Sequence, residues 1–152
     1  MKKQKLVLEQ IDNKILILKK TEKLSVPSSG WVFAIRQALG MSLRQLGSRM
    51  GITPQSVKEI EEREIEGTIS LKVLRQFGKA LNLKLVYGFI PEQGKLEDII
   101  EARAKELASE IVSRTSVSMK LEDQANRVSR IKKSVKEKTD DIIREMPRYL
   151  WD

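Results

Sequence analysis

The chain of 152 residues contains no cysteine, no histidine and only seven aromatic side chains. Without cysteine there are no disulfides and no thiol nucleophiles. The two absences together exclude every zinc site built on Cys or His, and the imidazole that Ser/His/Asp catalysis requires. A carboxylate-only enzyme or a Mg²⁺ site remains possible, so the enzyme class is weakened and not excluded. A catalytic role is therefore disfavoured, with a carboxylate-based nuclease as the weakest reading, and no cofactor or metal is expected. At 40% hydrophobic residues the chain can bury a core, and the shortage of aromatics points to one made of Leu, Ile, Val and Ala. No apolar run approaches the roughly 20 residues of a membrane-spanning helix. The basic start has neither an uninterrupted apolar segment nor a small-residue cleavage site. No membrane association is expected, and the cytoplasm is the expected compartment.

Charge is spread unevenly. Residues 1–30 carry seven Lys against three acids, residues 31–91 nine basic groups against five acids, and residues 92–152 thirteen of each. The net charge of +8 thus belongs to the first 91 residues. The five acids of 31–91 (Glu59, Glu61, Glu62, Glu64 and Glu66) fall within eight positions, which leaves the rest of that segment strongly positive, as a phosphate-binding surface would be. By the same count the neutral remainder, Lys132, Lys133 and Lys136 included, is expected to add little to such a surface.

Hydropathy patterning divides the chain into three. Within residues 1–30, Leu8, Ile11, Ile15 and Leu18 recur at three and four, one stripe of an amphipathic helix over Lys5–Leu18. Val26-Pro27-Ser28-Ser29-Gly30 then breaks the pattern and offers serines as caps for the next helix. Residues 31–91 predict four short helices. The first runs over Trp31–Leu39 and closes at Gly40. The second starts at Ser42, whose spacing to Gln45 is that of a capping box, and ends at Met50 before Gly51. In the third, Thr53 is the cap and Pro54 the first helical residue, with Val57 and Ile60 further along. The fourth, Ser70–Leu81, turns Leu71, Leu74, Phe77 and Leu81 to one face. Leu83, Leu85, Tyr87 and Phe89 then alternate, which predicts one short strand over 83–90 in need of a partner.

Residues 92–152 predict two further helices. Leu96, Ile100, Ala104, Leu107 and Ile111 line the first, from Lys95 to about Ser113, and Thr115-Ser116-Val117-Ser118 breaks it. In the second, Leu121, Val128, Val135 and Ile142 repeat every seven residues until Pro147. Its apolar stripe is narrow and surrounded by lysines, as in a docked, intersubunit or frayed helix. The expected fold is mainly α. Five or more helices and one short strand are expected in all: the domain with the strand (31–91) is flanked by an N-terminal amphipathic helix and linker (1–30) and a C-terminal helical extension for dimerisation or partner binding (92–152).

Ser42 to Glu61 read as a helix-turn-helix. Leu46 and Met50 face the core, Gly47 sits where the next helix crosses closest, Gly51 makes the turn, Ile52 plugs the junction, and Val57 and Ile60 bury the inner face of the third helix. Thr53, Gln55, Ser56 and Lys58 are left towards the outer face or amino end, which in this motif enters the major groove. Thr53 and Ser56 bring hydroxyls, Gln55 can make the paired hydrogen bonds that suit adenine, and Lys58 can reach guanine or phosphate. Arg44, Ser56, Arg63 and Lys72 are candidates for backbone phosphate, and Ser42 completes the set of candidate DNA-binding residues. Two other patterns fail. Gly88 to Gly94-Lys95 has five residues between the glycines where a phosphate-cradling loop has four, and Leu96 stands where a hydroxyl is needed. Glu97/Asp98/Glu101 and Asp140/Asp141/Glu145 read as solvated helix faces.

Residues 31–90 resemble the Cro/repressor-type (XRE) helix-turn-helix superfamily, including Glu61 near the end of the recognition helix and Ile69-Ser70-Leu71-Lys72-Val73-Leu74 opening the next. A resemblance over nearly the whole chain is to the bacterial family called mobile mystery protein A. It is carried by Trp31-Val32-Phe33-Ala34-Ile35-Arg36-Gln37-Ala38-Leu39-Gly40-Met41-Ser42, Glu66-Gly67-Thr68-Ile69-Ser70-Leu71, Leu85-Val86-Tyr87, Leu121-Glu122-Asp123-Gln124 and Leu150-Trp151-Asp152. Members are encoded on mobile elements beside a Fic-domain protein. The resemblance implies a DNA-binding regulator and the antitoxin-like half of a pair. Two positions depart from the XRE pattern. Leu43 stands where many members place a phosphate- or base-bonding Gln, and the turn after the recognition helix reads as longer, with four Glu that would repel DNA unless they point away. The motif by which Fic-blocking partners often inhibit is absent at Glu66-Gly67, because Glu62 occupies the Ser/Thr position. The expectation is a cytoplasmic homodimer that binds double-stranded DNA and represses its own operon, with a Fic-domain protein as partner. The alternative is an antitoxin that mainly sequesters its partner protein.

Overall fold

The computed structural model describes residues 2–116 and 124–152. They form α1 (Lys2–Lys19), α2 (Trp31–Ala38), α3 (Leu43–Met50), α4 (Pro54–Glu66), α5 (Leu71–Ala80), α6 (Leu96–Ser116), α7 (Gln124–Glu145) and a 3-10 turn (Arg148–Trp151). The mainly α fold is as expected. Val117 and Ser118 of the expected break, and Leu121 of the seven-residue repeat, lie outside the described residues. No helix among the described residues is long and apolar enough to cross a membrane. The chain divides into two compact units: Thr21–Gly88, and the chain up to Lys20 together with Phe89–Asp152. The first helix therefore belongs with the C-terminal helices.

In the unit Thr21–Gly88 each helix contributes one buried apolar side chain to the core: Val32 from α2, Leu46 from α3, Val57 from α4 and Phe77 from α5. Ile35, Leu43, Met50, Ile52, Ile60, Leu74 and Leu81 close around them. Short helices gain little from propensity, so their ends are set by local chemistry. Ser42 Oγ accepts from Gln45 N–H and Gln45 Oε1 accepts from Ser42 N–H, the reciprocal capping box. Thr53 and Ser70 each accept from the N–H three residues on.

Three expectations for this unit are corrected. The serines of 28–29 do not cap α2. Gly30 is its N-cap and gives no side-chain bond, while the Glu64 carboxylate accepts from Trp31 N–H at 2.7 Å and Val32 N–H at 2.8 Å. The recognition helix does not give way to a long turn after Ile60. It continues to Glu66 and closes at Gly67, in the left-handed conformation at φ 77°. Third, no strand forms among the described residues. Residues 84–90 belong to no helix or strand and make no backbone hydrogen bond among the described residues, and Val86 and Phe89 are 71% and 86% exposed. Alternating β-formers supply only one side of a ladder; without a second row of N–H and C=O groups there is no strand. Tyr87 is held by Arg75, whose guanidinium donates to its hydroxyl at 3.2 Å and lies 5.6 Å from its ring centre.

In the other unit α7 packs antiparallel along α6 around Ile100, Ala104, Ala108, Ile142 and Leu150, with Leu107, Ile111 and Val135 alongside. Ala104 and Ala108 are fully buried. Their small size lets the helix axes approach, so a narrow stripe on α7 suffices. Within the chain, the described part of that helix is docked on α6. Arg103 donates to the backbone oxygens of Leu150 at 2.7 Å and Asp152 at 2.9 Å, tying the 3-10 turn to α6. Asp12 of α1 accepts from Leu96 N–H at 2.9 Å and so caps α6. α1 is otherwise lightly seated. Ile15 is its buried side chain, Leu6, Leu16 and Ile17 are exposed, and a cavity of about 650 Å³ lies between α1, α6 and α7.

Candidate nucleic-acid interface

The α3–turn–α4 hairpin is held from inside by small residues and from behind by acids. A Cβ on Gly47 would stand 2.7 Å from the Ile52 carbonyl oxygen and 3.3 Å from the Thr53 carbonyl carbon. The obstacle is the backbone of the turn, rather than the crossing helix assumed from the sequence. Ile52 N–H donates to Gly47 O at 2.9 Å and Gly51 takes the left-handed conformation at φ 70°. The end of α5 repeats this arrangement. Leu83 N–H donates to Gly78 O at 2.8 Å, Asn82 is left-handed at φ 57°, and a Cβ on Gly78 would meet Leu83 O at 2.7 Å. Gly78 was not singled out from the sequence, although Gly-x3-(Gly/Asn)-aliphatic occurs at both places and is a legible signal.

Behind α4, Arg36 is buried and pairs with buried Glu61. Nε donates to one carboxylate oxygen at 2.5 Å and Nη2 to the other at 3.2 Å, while Nη1 donates to Met41 O at 2.9 Å. Glu61 and Glu64 are thus turned inward onto α2. That removes part of the repulsion expected of this acidic stretch: two of its four Glu face away from any ligand of the outer surface, while Glu62 and Glu66 are exposed.

The candidate residues fall into distinct places. Gln55 and Lys58 are exposed on the first turns of α4 and make no side-chain hydrogen bond among the described residues. Thr53 Oγ1 accepts from Ser56 N–H at 3.1 Å and lies 2.9 Å from Ser56 Oγ, so these two hydroxyls first serve to close the helix. Ser42 is exposed with its Oγ engaged in the capping box. Arg44 and Lys72 are exposed on the first turns of α3 and α5, and Arg63 is exposed near the end of α4. Ser56 and Arg63 line a shallow groove between α4 and α5 together with Arg49, Gln76 and Lys79, which Gln55 and Lys58 do not. Arg49 and Lys79 stand at no motif position of the sequence; the positive balance of the segment is the one signal that includes them.

Four short helices, the second and third joined by this glycine-closed turn, define a helix-turn-helix domain. Residues 32–87 match the family model described as Helix-turn-helix, and the chain carries an XRE-type domain of that kind there. No curated protein and no solved structure matches the chain.

Proposed function

We propose that this protein is a sequence-specific DNA-binding transcriptional regulator, acting as a homodimer on its own operon. One observation carries the reading: the helix-turn-helix domain presents Gln55 and Lys58 to solvent, unengaged, at the amino end of its second helix. That end enters the major groove in this motif, with Gln suited to adenine and Lys to guanine or phosphate. Arg44, Lys72 and Ser42 contact backbone phosphate from the starts of α3 and α5, with Ser56 and Arg63 on the flank of α4. A mobility-shift assay with the protein's own upstream DNA at several salt concentrations tests this. Binding is expected to weaken as salt rises. Arg44→Ala should make the slope of log K against log salt shallower by about one unit, on specific and random DNA alike. A chain that binds neither DNA would overturn the reading, and degradation of the probe on adding Mg²⁺ would point to a nuclease instead.

A second reading, an antitoxin that mainly sequesters a Fic-domain partner, draws on the family resemblance and on the exposed Leu6, Leu16 and Ile17 of α1. It predicts co-purification with a Fic-domain protein, undiminished by Arg44→Ala.

A further inference from the structure

The even balance of residues 92–152 conceals a separation of charge that the helices make spatial. α6 holds five acids against three bases, and residues 139–152 four acids against two bases, but residues 127–138 of α7 hold six cations and one acid. The inner side of this half of α7 is Ile131 and Val135, with Val135 packed against the core it shares with α6. Arg130, Lys132, Lys133 and Lys136 are exposed, four cations within about 9 Å of helix axis. Lys133 stands 4.0 Å from Glu137, both well exposed, an ion pair worth little in water.

We propose that the first half of α7 is a second, sequence-independent binding surface for the phosphate backbone of duplex DNA. A protein partner would look for aromatic or aliphatic anchors, and lysine is depleted where proteins meet; here Val135 is packed against α6, Val128 is the one exposed large hydrophobic side chain among residues 127–138, and the rest of the exposed side is mostly lysine. A membrane-surface helix needs a broad free apolar face to insert, and Val128 is the one large hydrophobic side chain exposed among residues 127–138. A phosphate polymer needs neither. Cations held on a docked helix displace its condensed counterions, and that term carries non-specific binding. The inference rests on the DNA-binding reading for its ligand but uses no residue of 31–91, so the two can fail separately.

The test is fluorescence anisotropy of the full chain on a random-sequence duplex across salt concentrations. Lys132→Gln/Lys133→Gln/Lys136→Gln should make the slope of log K against log salt shallower by about 2–3 units, with an unchanged melting temperature because all three side chains are exposed. Lys95→Gln/Lys105→Gln/Arg148→Gln removes the same charge from exposed sites outside residues 127–138 and should change the slope by less than about one unit. The ratio of operator to random affinity should survive the α7 triple and fall in Gln55→Ala. An unchanged slope in the α7 triple, equal changes in both triples, or an effect confined to phosphatidylserine vesicles would overturn the inference. If Arg44→Ala and Gln55→Ala act as expected while the α7 triple is silent, only this inference falls. If the parent binds no duplex, the DNA-binding reading falls with it.

Discussion

Gly47 and Gln55 are eight positions apart on one hairpin and do opposite work. Gly47 has backbone 2.7 Å from where a Cβ would be, and backbone cannot swing aside as a side chain can. Gly47→Ala should destabilise the domain by about 1–3 kcal/mol, and Gly47→Leu by more, lowering melting temperature and DNA affinity together. Gly78→Ala, with the same 2.7 Å obstruction at Leu83 O, should cost a similar amount. Gln55 is exposed and supports nothing, so Gln55→Ala should melt as the parent does and lose about 1–3 kcal/mol of discrimination at one base pair. Thermal melts paired with mobility shifts over a set of operator variants separate the two roles. If Gln55→Ala ranks those variants as the parent does, Gln55 reads no base.

At the scale of elements, α4 is divided along its length. Its first turns are offered outward, while Glu61 and Glu64, one and two turns later, lock α2 in place. The Arg36–Glu61 pair is buried, so Glu61→Leu alone leaves a guanidinium without its partner and should cost about 3–5 kcal/mol in urea unfolding. The double change Arg36→Met/Glu61→Leu should recover most of that loss, since an apolar pair of similar volume often replaces a buried ion pair without penalty. A double variant as unstable as the single one would show that the pair itself is what stabilises the domain. Glu64→Ala should cost about 1 kcal/mol, because Gly30 gives α2 no side-chain cap of its own.

For the whole molecule the open question is association. One helix-turn-helix presents few base contacts, and two-fold pairing doubles them while making half-site spacing a filter. Leu83, Val86, Tyr87 and Phe89 are exposed, residues 84–90 make no backbone hydrogen bond among the described residues, and α1 exposes a further group of aliphatics. A homodimer built through residues 83–145 would cover part of this surface. Light scattering at tens of micromolar is expected to give twice the chain mass, and a monomer throughout that range would remove the dimer from the proposed mechanism.

Much of the DNA-binding half was legible because its signals are short. The Ser42–Gln45 capping box, the Thr53-Pro54 helix start and the left-handed Gly51 act within one turn of chain, and each acts where its spacing placed it. The four-helix core was readable from periodicity for the same reason. What tertiary structure decided involves partners far apart in sequence. Glu64 finds the start of α2 33 residues back, and Glu61 finds Arg36 25 residues back, turning an apparently repulsive acidic turn into the rear of a helix. Residues 83–90 have the alternation of a strand but no partner among the described residues, and pairing cannot be read from one side of a ladder. The neutral sum over 92–152 was correct as arithmetic. Only the docking of α7 on α6 shows which of its charges share a surface, because net charge is a property of a segment and an electrostatic field is a property of its folded arrangement.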